Sequence, residues 1–342
     1  MFETTVIARP FCTLRAIARE RPGRPAVLIV TPFSGQQAAL FSDLIGALAP
    51  DHEVYVTDWV AANLVPFAEG DFDLDDMVGC IIEFVRLLGP GAHLIGMSQS
   101  GVPLLAAAAL MAAVSDPARP RSLTLMGGLI DSRINPTPMN RMARRLLANP
   151  GLAYRLQQRV IRPVPAGKPG AGRLVYPGAV QRTALKIYLL RRISPGSPTP
   201  LHVFQNVLIG DGEPPTARRQ LCRDFLRPMS VPAELYLQTV HTLFGNDALA
   251  AGRMRWQGSP VDPAAIRDTG LMTVEGGRDD ISGHGQTRVA HDLCSQIPPG
   301  RRLHHDEPDV GHLGMFHGRC WRASVLPRLR RFIRDNAERG GG

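Results

Sequence analysis

The run Leu94-Ile95-Gly96-Met97-Ser98-Gln99-Ser100-Gly101 sets a short apolar strand directly against a helix of small residues. Small neighbours on both sides of a serine let the backbone take a strained strand-to-helix turn that exposes the hydroxyl. Ser98 then stands at the carboxyl end of a central strand, above a helix amino terminus whose positive dipole end favours developing negative charge. A bare Gly-x-Ser-x-Gly-like pentapeptide is a weak signal, and Ser100 occupies the place of its second glycine. The position between strand and helix is what makes Ser98 the candidate nucleophile and Ser100 the second choice.

Working outward, Ala26 to Thr31 and Glu53 to Thr57 are short β-rich runs that bracket a helical pattern from about Gln37 to Leu48. Asp73 is placed to cap a helix through Leu88, with Met77, Ile81, Phe84, Val85 and Leu88 at helical spacing and Gly89-Pro90 as the stop. His93 to Met97 reads as a strand, Gly101 to Val114 as a helix and Ser122 to Met126 as another strand. This alternation predicts an α/β domain with right-handed crossovers and a mostly parallel sheet. It resumes at Leu271 to Glu275, followed by a helix around Thr287 to Ser295, a short strand at Leu303 to His305 and a terminal helix from Arg319 to Asn336.

The long stretch between is rich in Pro and Arg and carries helical fragments, including Ala184 to Arg192 and Ala217 to Leu226. A compact domain does not hold a structureless loop of that length. The expected organisation is therefore a sheet domain in two parts, residues 1–130 and 261–342, with a largely helical cap over 131–260 inserted late in the chain.

Composition narrows the functional classes. With 342 residues, 44% of them hydrophobic, the chain is long enough for a large core and is not disordered as its main state. The longest nearly pure apolar run, Val102 to Val114, falls short of the roughly 20 residues a membrane-spanning helix needs and predicts a buried helix. The opening residues show no secretory pattern. Five cysteines, odd in number and without CxxC spacing, argue against a disulfide framework and a zinc site, and fit a reducing cytoplasm. The net charge of +9 does not make nucleic acid the default partner, because only Lys168 and Lys186 are lysines among 39 cations, as a GC-rich genome would give. The charge is uneven, however: 131–260 alone holds 19 Arg and Lys against 6 Asp and Glu.

A serine hydroxyl needs a base, and the base needs an orienting carboxylate. In α/β-hydrolases these follow in the order Ser, Asp, His on loops after late strands. Val274-Glu275-Gly276-Gly277-Arg278-Asp279-Asp280-Ile281 leaves an apolar strand at the expected place, and Asp279 is preferred to Asp280 by its spacing from Gly276. Asp309-Val310-Gly311-His312-Leu313-Gly314 follows the last strand, with glycines on both sides of the candidate base His312; His304 and His305 lie inside the strand and His317 abuts the last helix. Backbone N–H groups for the oxyanion are expected from Gln99, after the nucleophile, and from Phe33 or Ser34 in the turn Thr31-Pro32-Phe33-Ser34-Gly35. The scheme calls for no cofactor and no metal.

With these residues in view, the chain resembles the intracellular poly(3-hydroxybutyrate) depolymerases, a polyester-hydrolysing branch of the α/β-hydrolases. The resemblance runs from Arg9-Pro10-Phe11-Cys12-Thr13-Leu14 to the last helix. It includes Asp51-His52-Glu53-Val54-Tyr55-Val56-Thr57-Asp58-Trp59, Glu69-Gly70-Asp71-Phe72-Asp73-Leu74-Asp75-Asp76, Leu123 through Asp131, Ala233 through Val240 and Met272 through Gly283. It implies cleavage of stored polyhydroxyalkanoate to 3-hydroxybutyrate units or oligomers, with Asp279 and His312 carrying the family's carboxylate and histidine. The family commonly places a cysteine in a Cys-Gln-Pro context where this chain has Ser98-Gln99-Ser100. Serine retains acyl transfer but leans more on its base, so hydrolysis is expected rather than transfer to a thiol.

A water-insoluble polyester must reach Ser98 as a single chain through an apolar groove. Phe204, Tyr236 and Phe244 are the leading candidates for its lining, with Phe225, Leu226, Leu235 and Leu237 behind them. The basic cap reads as a solvated arginine-rich face, with attraction to an anionic storage-granule coat as the alternative. Two other classes compete: a polyester synthase-like acyltransferase, which needs a thiolate, and a noncatalytic granule-binding protein on the same scaffold. The sequence leaves the oligomeric state open.

Overall fold

In a computed structural model, residues 2–18, 23–33, 38–190 and 223–338 are described. Eight strands form the main sheet: β1 (Phe2–Ala8), β2 (Cys12–Ala18), β3 (Ala26–Val30), β4 (Glu53–Trp59), β5 (His93–Met97), β6 (Ser122–Met126), β7 (Gly270–Gly276) and β8 (Arg302–Glu307). Their spatial order is β1-β2-β4-β3-β5-β6-β7-β8. The first three pairings involving β1, β2 and β4 include two antiparallel ones, β1 with β2 and β2 with β4. All pairings from β4 onward are parallel. The expected α/β class and mostly parallel sheet are thus observed.

The core strands read as unbroken apolar runs because both faces are covered. Every residue of β5, β6 and β7 is buried. Helix α1 (Ser42–Leu48) follows a 3-10 turn, Ala38–Phe41, so the expected helix starts later than its pattern suggests, while Gln37 lies outside the described residues. Helix α2 (Leu74–Leu88) begins at a capping box in which Asp73 Oδ1 accepts from Asp76 N (3.0 Å) and Asp76 Oδ2 accepts from Asp73 N (2.9 Å). It ends at Gly89, whose φ of 77° only glycine takes readily. Helix α3 (Gly101–Ala113) buries Val102 through Ala109 and Met111, as its all-round apolarity requires. Each fully buried Leu or Ile in this core contributes about 1.5–3 kcal/mol.

Three elements differ from the sequence expectations. The hairpin of β1 and β2 was not foreseen: it packs Cys12 and Leu14 inward at 0% exposure while Val6 stays exposed. The helix expected over Thr287 to Ser295 reduces to one turn, Ala290–Leu293, because the residues before it are spent clasping Glu275 through their backbone N–H groups. The terminal helix runs as Gly318–Cys320, a π turn at Trp321–Val325, and Leu326–Glu338.

Residues 127–269 separate β6 from β7. Among the described ones are helices Pro138–Leu147, Pro150–Val160, Gly178–Leu190 and Ala233–Val240, and a small antiparallel sheet of Arg162–Pro163, Leu174–Tyr176 and Val231–Pro232. The expected fragment Ala184 to Arg192 lies within the third helix as far as Leu190. Most of Ala217 to Leu226 falls outside the described residues, with Arg223 to Phe225 helical. This segment is fastened to the start of α2: Leu74 N donates to Gln238 Oε1 (2.9 Å) and Trp256 Nε1 donates to the Asp75 carbonyl (2.9 Å). Val175, Val231, Leu235 and Leu243 join the same buried cluster as Leu28 and Met77. No helix among the described residues is long and apolar enough to cross a membrane.

Candidate active site

Ser98 has φ 53°, a left-handed conformation that a side chain accepts only when its surroundings hold it there. The local sequence supplies that hold. A Cβ on Gly96 would lie 2.5 Å from Leu104 Cδ2, so glycine lets α3 close onto the end of β5 without displacing the buried Leu104 side chain. Ser100, fully buried, accepts from Met97 N (2.8 Å), and its Oγ also lies 2.8 Å from the carbonyls of Val30 and Met97. Its hydroxyl ties the turn to β3, which explains a serine where a glycine was anticipated and removes Ser100 as the alternative exposed hydroxyl. Ser98 is half-buried and Gln99 exposed.

The loops after β7 and β8 bring the other two candidates together. Past the last paired residues, Gly277 N donates to the Glu307 carbonyl (2.9 Å) and Arg278 N to the Val310 carbonyl (3.0 Å), prolonging the parallel pairing into both loops. A Cβ on Gly276 would meet Val310 O at 2.8 Å, and one on Gly277 would meet Pro308 O at 2.5 Å. The glycine pair therefore lets the loops run in contact. At their tips, Asp279 Oδ2 and His312 Nδ1 are 2.7 Å apart, with side chains only 1% and 3% exposed. Asp279 Oδ1 accepts from Ile281 N (2.8 Å) and Ser282 N (3.0 Å), so the carboxylate is fixed through both oxygens. A charge-assisted bond in such surroundings is stronger than one in water and fixes the imidazole plane.

Strand register sets His312 beside the serine turn. Met97 pairs with Met126, so the next residues, Ser98 and Gly127, leave adjacent strands side by side. Gly127 has φ 57°, and a Cβ there would come within 3.1 Å of His312 Cε1 and 2.6 Å of Met315 Cε. The imidazole thus packs on the Gly127 backbone, one residue past the Met97–Met126 pairing that precedes Ser98. Nothing in the sequence pattern marked Gly127 for this role; the only signal is the Gly127-Gly128 pair that ends β6.

Other described histidines have partners away from the serine turn. His304 Nδ1 meets Thr273 Oγ1 (2.8 Å), His305 Nε2 lies 3.3 Å from Glu307 Oε2, and His317 Nδ1 lies 3.2 Å from Asp43. Burial pushes His93 down to about 4, where its Nδ1 meets Ser122 Oγ (2.7 Å). Asp280 is buried and does not share the Asp279 contact to His312.

Of the expected oxyanion donors, Phe33 is buried on a firmly held turn. Thr31 N donates to Thr57 Oγ1 (2.9 Å), Trp59 Nε1 donates to the Thr31 carbonyl (2.8 Å), and the Phe33 ring packs on Trp59 and Phe72 at 5.0 and 5.6 Å. Ser34 lies outside the described residues, as does Phe204. The Tyr236 ring packs tilted against Tyr176, with centroids 4.1 Å apart, and burial raises both phenols above their ordinary range. Phe244 is half-buried against the core; Phe225 and Leu235 are core residues, at 6% and 2% exposure.

The strand order, the serine turn after β5 and the Asp–His pair after β7 and β8 define an α/β-hydrolase. Solved structures agree on the fold. A thermophilic esterase from Thermogutta terrifontis (15% identity, TM-score 0.53) is matched over 98% of this chain and 98% of its own. The enol-lactonase from Burkholderia xenovorans (13%, TM-score 0.54) is matched over 94% of this chain and 96% of its own. The Paleococcus ferrophilus monoacylglycerol lipase (15%, TM-score 0.52) is matched over 92% and 96%. No curated protein matches the chain. The family is given by sequence: residues 127–337 match the model described as PHB de-polymerase C-terminus, and the chain belongs to that family. Its coarse class is accordingly a carboxylic ester hydrolase. The matched span contains Asp279 and His312 and begins after Ser98.

Proposed function

We propose that this protein hydrolyses polyhydroxyalkanoate, with poly(3-hydroxybutyrate) as the first candidate, to 3-hydroxyacid monomers or oligomers through a serine acyl-enzyme. The observation that carries this reading is the buried 2.7 Å Asp279–His312 pair packed on Gly127 beside the strained Ser98, in a chain of this family. Asp279 accepts the Nδ1 proton of His312, leaving Nε2 as the base for the Ser98 hydroxyl. Ser98 Oγ attacks the ester carbonyl, His312 returns the proton to the departing alcohol, and water, activated by the same imidazole, releases the hydroxyacid. The N–H groups of Gln99 and Phe33 stabilise the tetrahedral oxyanion.

Residues 131–260 act as the cap of this site, and Tyr236 and Phe244 guide the polymer chain. The segment has no acidic residue from Ser132 through Gly210 and forms a solvated arginine-rich face, with attraction to an anionic storage-granule coat as the second reading. The place that goes with this function is the cytoplasm, at the granule surface on the second reading. The acyltransferase alternative is disfavoured by serine in place of a thiol, and a noncatalytic role is disfavoured by the intact Ser, Asp and His set.

The test is incubation of the purified protein with amorphous poly(3-hydroxybutyrate) granules, with and without coenzyme A, while released products are measured. Free hydroxyacid without coenzyme A is the expected result. An acyl-CoA product would move the chain to transferase chemistry, and granule binding without release would make it a noncatalytic coat protein.

A further inference from the structure

On one face of the sheet, beside the loop that carries Asp279, the strands place a set of polar groups where apolar side chains would ordinarily lie. Thr273 and Glu275 on β7 stand in register with His304 and Asp306 on β8. Two carboxylates directly opposed across neighbouring strands repel, so a sequence keeps such a pair only with positive charge or donors between them. The donors on Glu275 come from the backbone: Oε2 accepts from Gly285 N (2.7 Å), and Oε1 from Thr287 N (2.6 Å) and Arg288 N (2.8 Å). These three bonds leave one lone-pair direction of the carboxylate open.

Asp306 faces imidazoles. Its Oδ1 lies 3.1 Å from His284 Nε2 and 3.0 Å from His304 Nε2. His304 is oriented from behind, since its Nδ1 meets Thr273 Oγ1 (2.8 Å), which in turn meets His291 Nε2 (2.9 Å). The contacts form one continuous chain through Thr273 Oγ1, from His291 to His304 and on to Asp306. One donor atom each from Glu275, His284 and Asp306 lies within 4.8 Å of the others. Ligands about 2.1 Å from a shared tetrahedral ion stand about 3.4 Å apart, a modest contraction from this arrangement.

We infer that Glu275, His284 and Asp306 form a binding site for a divalent transition-metal ion of the zinc type. Two carboxylates with one imidazole suit zinc in donor chemistry, and a fourth position faces solvent on the exposed side of His284 and Asp306. His304 acts as a positioning residue, held by Thr273 and in contact with the ligand Asp306, the outer-shell arrangement that orients metal ligands. The cysteine spacing gave no hint of this site because it uses no sulfur. The ion would bridge the far end of the Asp279 loop to β8, fastening a loop that Glu275 already clasps at its base. This role is independent of which ester the protein cleaves.

The experiment uses the full chain, stripped with chelator and titrated calorimetrically with zinc chloride and, in parallel, calcium chloride. The expected result is saturable binding of one zinc ion per chain, a rise in melting temperature with zinc, and little response to calcium. His284→Ala, at a side chain 51% exposed, is expected to weaken zinc at least tenfold and abolish the thermal shift. Asp306→Asn should do the same, and if that variant fails to fold, His284→Ala decides alone. Absence of saturable zinc binding, an unchanged affinity in His284→Ala, or calcium binding as strong as zinc would each overturn the assignment.

Discussion

His312 Nδ1 lies 2.7 Å from Asp279 Oδ2, although 33 positions separate them in the chain. The contact depends on Gly276 and Gly277, which let the loops leaving β7 and β8 run against each other as a continuation of the sheet. Both side chains are withdrawn from water, so the bond is worth more and the ring has little freedom to turn.

Ser98→Ala should lower ester turnover by on the order of 10⁶-fold, the scale seen when a comparable serine hydrolase loses its nucleophile. Ser100→Ala should lose far less turnover but destabilise the fold by about 1–3 kcal/mol, since it leaves the buried Met97 N–H without its acceptor. Turnover of a short soluble ester and urea unfolding of both variants check the contrast. A near-native rate in Ser98→Ala would remove it from the mechanism.

Asp279→Asn should cost on the order of 10⁴-fold in turnover, because the amide no longer fixes the imidazole tautomer. Asp280→Asn should be milder. Steady-state kinetics on both variants rank the two carboxylates, and the reverse order would overturn the assignment of Asp279.

Gly127→Ala should reduce turnover by about tenfold to a hundredfold while the far-ultraviolet circular dichroism stays native. The new Cβ would stand 3.1 Å from His312 Cε1 at a backbone of φ 57°, so the ring must give by a few tenths of an ångström and the turn is strained, and reacting groups tolerate misplacement poorly. An unchanged rate would mean that the imidazole is not held against this backbone during reaction.

Tyr236→Ala and Phe244→Ala should harm cleavage of amorphous polymer more than cleavage of a short ester, since remote contacts assist only substrates long enough to reach them. A folding defect would depress both activities and the melting temperature together. Equal losses in properly folded variants would leave the cap without a guiding role.

Stability should fall as the pH drops from 6.5 toward 4. Burial, with smaller contributions from His52 and Arg121, lowers folded His93 from 6.5 to about 4, so in that window the unfolded chain takes up the proton that the folded chain refuses. The stabilisation is complete above pH 6.5 and lost as the pH falls through about 4. Urea midpoints at pH 7 and pH 5 check this, with His93→Gln showing the smaller difference.

The sequence by itself determined the alternation of strands and helices from Ala26 to Met126, because each element there has apolar residues at one clear period and a stop such as Gly89-Pro90. It also singled out Ser98, Asp279 and His312, since glycine-flanked polar residues at strand ends are a local pattern. The β1–β2 hairpin was not legible, because Phe2 to Ala18 has no pure apolar alternation and its pairing rests on the edge that β4 offers to β2. The helix expected after β7 shrank to one turn because Glu275, a residue of the strand, captured the backbone N–H groups at its start. Only the tertiary structure decided which serine keeps a half-exposed hydroxyl, that Gly127 forms the bed of His312, and that Glu275, His284 and Asp306 converge. These are relations between strands and loops far apart in sequence. They depend on register, on hydrogen bonds across the sheet and on the volume of a single Cβ, none of which a linear pattern of residues contains.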